Sequence, residues 1–313
     1  MNPSIKKKRL LITGGSGLLA LNWACAMRYE WDVTLVTHKH AVHLARVATA
    51  QIALDEPHQL LTQLTQYAPD AIIHSAGLTS VDQCELSPEH AHHANAEIAK
   101  HVAYAAACMS VPLIHVSTDH LFSGNHRLST ETTPVQPLNQ YAISKALAEI
   151  EVQKVNPATL VIRTNFFGWG HVGRQSFSDW LIGNLRTDRS LPVFTDVFFT
   201  PILADTLALA AHDLLDSGAS GIFNIVGDER LSKYEFALLL ADRFLLPREY
   251  IHPKQLDAAH LIAPRPRDMS LDNQKARQAL GRNLGSVSQF LIELHAQERA
   301  GRPAELLNAV NHQ

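Results

Sequence analysis

The chain has 313 residues, 46% of them hydrophobic and 18% charged, with a formal net charge of −3. Such a length buries a substantial core, in one large domain or two linked ones. The near-neutral balance excludes the basic stripe of an electrostatic nucleic-acid binder, and no apolar run approaches the roughly 20 residues that span a bilayer.

In chain order, the short basic run Lys6–Arg9 reads as a solvated edge, with no apolar signal-peptide segment after it. RLLIT (9–13) reads as the first strand and residues 18–29 as the first helix. DVTLVT (32–37), AIIHSA (71–76), PLIHVST (112–118) and TLVIRT (159–164) read as further strands. Their unbroken apolar runs suit a parallel sheet buried on both faces. Helical patterns at 57–67, 88–109 and 138–154 alternate with them, and Ser87-Pro88 reads as a cap with proline at the first helical position. This rhythm predicts a Rossmann-type, doubly wound α/β fold. Beyond residue 165, Gly168, Gly170 and Gly173 punctuate a loop, and helices are expected at 175–187, 203–215 and 232–244. GIFNIVG (221–227) reads as a strand that returns to the main sheet. No internal repeat or long linker interrupts the chain. Cys25, Cys84 and Cys108 lack disulfide or metal-site spacing, so a reducing, cytoplasmic setting is expected.

The first strand–helix junction, LLITGGSGLLA, carries Gly14, Gly17 and Ala20 at G-x-x-G-x-x-A spacing, with Ser16 and Leu18 between them. Glycine lets the backbone turn and lets N–H groups approach a pyrophosphate, and a small third residue allows close helix–strand packing. The helix N-terminus adds partial positive charge. A dinucleotide is therefore the expected ligand. After the second strand an acid would read the ribose hydroxyls of NAD. Here stand Thr37, His38, Lys39 and His40. Lys39 suits a 2′-phosphate, which favours NADP(H) over NAD(H), unless it is only a surface residue. Asp55 either meets the adenine or caps a helix.

At the end of the strand 112–118, Ser117, Thr118, Asp119 and His120 crowd the C-terminal edge, where open parallel sheets bind ligands. Tyr141 and Lys145 follow at i, i+4 and share a helix face. An ammonium beside a phenol favours the phenolate and suits the phenol to proton exchange. Asp119 either supports the catalytic groups or caps backbone N–H groups. His120 is either a substrate contact or a structural imidazole.

These residues carry a resemblance. The stretches TGGSGLLA, HSAGLTSVDQCELSPEHAHHANAE, VSTDHLFSG, PLNQYAISKALAE, VIRTNFFGWG, GIFNIVGDERLSKYEFA and RPRDMSLDNQKA, in this order, resemble the extended short-chain dehydrogenases/reductases. They are most similar to the dTDP-4-dehydrorhamnose reductase group of sugar-nucleotide reductases. The resemblance implies that Tyr141 protonates the ketone oxygen, that Lys145 holds the nicotinamide ribose and lowers the phenol, and that Thr118 bonds the reacting oxygen. It also implies that Ser75, Ala76, Gly77, Ser117 and Asn165 line the cofactor and that Asn95 braces the strand behind the site. Thr79, His120, Phe166, Trp169 and Arg265 fall to the substrate, with Arg265 for its diphosphate. Residues 1–165, with the sheet completed by about 221–230, form the implied NAD(P)-binding domain, and 166–313 the interleaved, mainly substrate-binding region. STDHLFSG departs from the family's STDYVFDG: His120 replaces a tyrosine and Ser123 an acid, which leaves the particular sugar open.

The chain holds 18 histidines, but His90, His92 and His93 do not repeat at i, i+4 with a completing ligand set, and no metal is expected. Trp169, Phe194, Phe198 and Phe199 either stack on a base or pack the smaller region. The expected function is NAD(P)H-dependent reduction of a keto group on a nucleotide-linked sugar, without nucleic-acid or membrane partners and with a homodimer as the family's expectation. The alternatives are an epimerase or dehydratase that retains its NAD, and a non-catalytic, cofactor-binding regulatory subunit.

Overall fold

The computed structural model describes residues 7–310 apart from 39, 172 and 260. Six short segments form β1 (Arg9–Thr13), β2 (Asp32–Thr37), β3 (Val47–Gln51), β4 (Ala71–His74), β5 (Leu113–Val116) and β6 (Leu160–Arg163). With the strand Gly221–Asn224 they make one seven-stranded sheet. From one edge to the other the order is Gly221–Asn224, β6, β5, β4, β1, β2, β3, and every pairing is parallel.

Strand side chains alternate between faces, and each face has its own core. Leu10, Ile12, Ile73, Ile114 and Ile162 join the larger core, and Leu11, Ile72, Leu113 and Val161 the other. Helices Leu18–Met27 and Ala204–Asp216 cover the first face, and helices Pro57–Tyr67, Ile98–Met109 and Gln140–Val155 the second. The first helix is buried almost all round. Its polar exception, Asn22, donates from Nδ2 to the carbonyls of Leu18 and Trp169 at 2.8 and 2.6 Å.

Sequence reasoning missed β3, whose segment VATAQ buries only Ala50 and so shows no apolar run. The helix expected at 88–109 is interrupted by a π-helical turn, His93–Glu97, which carries Asn95. The strands expected at 71–76 and 112–118 end at His74 and Val116, because the residues beyond turn into a cleft. Three unforeseen C-terminal helices, Gln274–Leu280, Val287–Arg299 and Arg302–Ala309, feed Ala276, Phe290, Leu294 and Leu306 into the larger core. The second half adds three short strand pairs. Phe166–Phe167 lies beside Ile202–Leu203, Phe198–Phe199 beside Leu231–Ser232, and Leu191–Phe194 beside Ile251–Lys254.

Candidate active site

Strand order reverses direction between β1 and β4, so the crossovers leave a crevice at their C-terminal ends. A cleft of about 830 Å³ opens there. At its floor Gly14 has φ +72°, and a Cβ on it would lie 2.8 Å from the Ala76 backbone, so only glycine lets the turns after β1 and β4 meet. A Cβ on Gly77 would lie 2.6 Å from Asn95 Oδ1. The N-cap Gly17 makes no side-chain cap bond, and the first helical turn holds no acid. Gly17 N itself donates to Gly14 O at 2.7 Å, but among the described residues no capping side chain or acid compensates the first turn's N–H groups and positive dipole end. Ser16, Gly17 and Leu18 line the cleft there. A bare glycine cradle with open donors fits a dinucleotide pyrophosphate.

Asn95 braces the loop after β4. Its Oδ1 accepts from Leu78 N at 2.7 Å, and its Nδ2 donates to Leu78 O and Ser144 Oγ at 3.0 and 2.9 Å. Ser75, Ala76 and Gly77 follow β4 into the cleft, and the Ser75 hydroxyl donates to Thr13 O at 2.7 Å. Thr79 lies at the mouth, where its Oγ1 accepts from Arg174 Nη1 at 3.2 Å.

The end of β5 and the helix Gln140–Val155 bring Thr118, Asp119, Tyr141 and Lys145 together in the same cleft. Asn139 starts that helix by accepting from Ala142 N, and its Nδ2 donates to Pro264 O at 2.9 Å. Burial pushes the Tyr141 phenol up to about 12, against the pull of a hydrogen bond with Thr118. Burial likewise pushes the Lys145 ammonium down to about 8, although Glu149 holds it up. Lys145 Nζ donates to Val116 O at 2.7 Å and lies 3.5 Å from His115 Nε2. The expectation that Lys145 lowers the phenol is corrected. The ammonium is turned to a backbone carbonyl, and loss of water around the ring decides the direction. The phenol therefore holds its proton at neutral pH.

Asp119 is buried and accepts from Thr118 Oγ1 at 3.3 Å and from Asn165 Nδ2. Ser117 turns away from Tyr141: its hydroxyl donates to Glu149 Oε1 at 2.6 Å. Glu149 also takes a forked bond from Arg163, at 2.9 and 2.7 Å, in a fully buried pair. Behind Lys145, His115 and His74 stack with ring centroids 5.4 Å apart, and His74 Nδ1 meets Thr13 Oγ1 at 2.8 Å. Burial, seconded by the Lys145 charge, holds His74 down at about 3 and His115 well below its usual value, so both are neutral.

A second pocket of about 320 Å³ adjoins the cleft and shares His120 and Asn165 with it. Phe177, Trp180, Val193, Phe194 and Met269 make it apolar, and Lys233 and Arg265 bring cations to it. His120 stands edge-on to the Tyr141 ring at 5.6 Å, and burial lowers its imidazole. Arg265 is held by Asp82 at 2.9 Å and by Ala263 O at 2.9 Å. Phe166 lines the main cleft.

Other expected positions fall elsewhere. Trp169, expected at the substrate, is a core residue: it is buried, its indole N–H donates to Leu294 O at 3.2 Å, and its ring meets Phe244. Asp55 is paired with His93 Nε2 at 2.9 Å and does not line the cleft, because the π-helical turn presents His93 to it. His38 lies outside the cleft lining, its carbonyl accepting from Gln51 Nε2 at 2.8 Å. Lys39 lies outside the described residues. Sequence reasoning missed His171, whose Nε2 meets Ser16 O at 2.9 Å, and Arg174 and Ser176, which carry a loop over the helix start. It also missed Lys233. Only the glycines at 168, 170 and 173 signalled that loop.

A family model for the RmlD substrate binding domain matches residues 8–298. The chain belongs to that family. Among curated relatives of this RmlD-family chain, the probable low-salt glycan biosynthesis reductase Agl14 of Haloferax volcanii is 27% identical over 290 residues, covering 91% of this chain and 96% of the relative. Methionine adenosyltransferase 2 subunit beta of Rattus norvegicus is also 27% identical, over 305 residues, covering 92% and 86%. The solved dTDP-4-dehydrorhamnose reductase of Bacillus anthracis in complex with NADP shares the fold. Its TM-score is 0.82 at 22% identity, over 93% of this chain and 99% of that one. Among the described residues no helix is long and apolar enough to cross a membrane.

Proposed function

We propose that the protein is an NAD(P)H-dependent reductase of a keto group on a nucleotide-linked sugar, like the dTDP-4-dehydrorhamnose reductases. The convergence of the buried Thr118, Tyr141 and Lys145 in a glycine-floored cleft carries this reading. Gly14, Ser16, Gly17 and Leu18 would hold the pyrophosphate, and Ser75, Ala76 and Gly77 the adjoining ribose. Asn165 and Phe166 would sit where the nicotinamide meets the sugar.

When bound, NAD(P)H supplies hydride to the carbonyl carbon. Tyr141 gives its phenolic proton to the carbonyl oxygen, so that C=O becomes CH–OH. A phenol that keeps its proton at neutral pH suits a donor. Thr118 donates to the same oxygen and stabilises its developing charge. Lys145, held by the Val116 carbonyl, would orient the ribose. Without substrate the single Thr118 hydroxyl proton goes to Asp119, so the Thr118 O–H must turn from Asp119 to the substrate oxygen for this step.

NADP(H) is favoured over NAD(H) because the sequence just past the second strand carries Lys39 and no acid to read the NAD ribose. Residues 1–165, with about 221–230, are proposed as the cofactor half and 166–313 as mainly the substrate half. The apolar pocket with Arg265 is where the substrate's nucleotide would lie.

Incubation with NADPH and a 4-keto nucleotide sugar tests the reading. Loss of nicotinamide absorbance in step with reduced sugar is expected. Turnover without added reductant would favour a retained-NAD epimerase. The relationship to methionine adenosyltransferase 2 subunit beta supports a second, regulatory reading. Inertness toward a panel of keto nucleotide sugars, together with co-purification of a catalytic partner, would favour it.

A further inference from the structure

Lys233 begins the helix Lys233–Phe244, directly after a capping box made by Ser232 and Glu235. A cation there opposes the helix dipole, so local preference does not explain it. The backbone pins it on two sides: Lys233 N donates to Val197 O at 2.9 Å, and Leu231–Ser232 pair with Phe198–Phe199. The side chain therefore meets a fixed surround. Its Nζ lies 3.4 Å from the Phe199 ring centroid and 4.8 Å from that of Phe177.

Ring faces replace only part of an ammonium's hydration. Among the described residues Lys233 Nζ has no hydrogen-bond acceptor and no carboxylate at ion-pair distance. Asp119 attracts it only at longer range, and burial pushes the ammonium down to about 8. Arg265, the other cation of this pocket, already has a counter-ion in Asp82. The remaining walls are largely apolar. The pocket thus carries one positive charge with open donors and no anion to complete it.

We propose that Lys233 is the anion-reading residue of this pocket and donates to the diphosphate of a nucleotide-linked substrate. This rests on the nucleotide-sugar reading above. It moves the main electrostatic contact from Arg265 to a lysine that the sequence does not single out. The two rings already hold the ammonium in place, so little side-chain freedom is lost when the anion arrives.

The test is calorimetric titration of the whole protein with dTDP, UDP and GDP, each beside its nucleoside. K233M is expected to weaken the best diphosphate by about thirtyfold or more and its nucleoside by less than about twofold. K233R is expected to restore most of the loss. NADPH binding, unchanged in both, reports that the fold is intact. Should K233M lose NADPH binding, K233Q keeps a polar tip and must show the same selective loss. Diphosphate affinity equal to the parent's in a folded Lys233 variant overturns the assignment alone. A parent that binds none of the diphosphates overturns the nucleotide-sugar reading, and this assignment with it.

Discussion

The cleft and the pocket beside it share His120 and Asn165 but are built on different principles. The cleft is made of backbone. Glycines 14, 17 and 77, the open end of a helix and the ends of two neighbouring strands set its shape, and its polar side chains are tied to one another. Ser117 is held by Glu149, Asn95 by Leu78 and Ser144, and Lys145 by Val116. The pocket is made of side chains from segments far apart in sequence, such as Phe177, Phe194, Lys233 and Arg265. A shared cofactor can be met by fixed backbone, which tolerates little change. A particular substrate is met by side chains that can be exchanged without touching the sheet. Chemistry should therefore fail at the cleft and selectivity should change at the pocket.

The sharpest break is Tyr141→Phe. Loss of a general acid removes about 10²–10⁴-fold in rate, and single-turnover reduction should fall within that range while NADPH affinity stays constant. Near-parental turnover would refute the proton-donor role. Next comes the buried pair behind the cleft. Glu149→Ala strands Arg163 without a counter-ion and should cost roughly 3–5 kcal/mol of stability, read from urea unfolding. An equal change at a solvent-facing acid such as Asp257 should be near zero.

The pH profile gives an intermediate effect. Lys145 is pushed down to about 8 and Tyr141 up to about 12. As pH rises, the ammonium is lost first and the phenol keeps its proton. The value of kcat/KM, which reports the groups of the free protein, should thus fall above roughly 8. K233R removes the titration of Lys233 near the same pH and should leave a limb of about tenfold per unit from Lys145 alone. The linkage sign is separate. A lysine whose folded value is depressed binds fewer protons folded than unfolded between about 8 and its ordinary 10.5, so its contribution makes stability rise with pH across that window.

Smaller changes sharpen the selectivity side. Trp180, 36% exposed at the pocket and stacked on Phe177 with centroids 6.0 Å apart, is the accessible aromatic wall. Trp180→Ala should weaken nucleoside diphosphate binding by roughly tenfold, since a base stacked on an aromatic ring is worth about 1–3 kcal/mol. Thermal stability should barely move. Lys39→Ala should raise the NADPH Michaelis constant several-fold and leave that for NADH unchanged. Equal effects on both would remove the case for NADP(H).

Much of the cofactor half is legible from one sequence because its signals are local. A strand followed at once by glycine, an i, i+4 tyrosine–lysine pair and polar residues at a strand end each lie within a few positions. Parallel strands buried on both faces announce themselves as unbroken apolar runs, and β3, which buries little, does not. What only the tertiary structure decided arose from contacts across long separations. Trp169 looks like a stacking ring, but Asn22 and Leu294 draw it into the core. Asp55 is taken by His93, 38 positions away. The Tyr141 phenol is raised and not lowered, because desolvation depends on everything packed around the ring while the helical spacing reports only one neighbour. Lys233 is one basic residue among 27 until Phe177, Phe199 and the pinned backbone close around it. Local pattern determined where the backbone turns and which faces are buried. Burial and partner choice, which fix charge and reactivity, were decided by the fold.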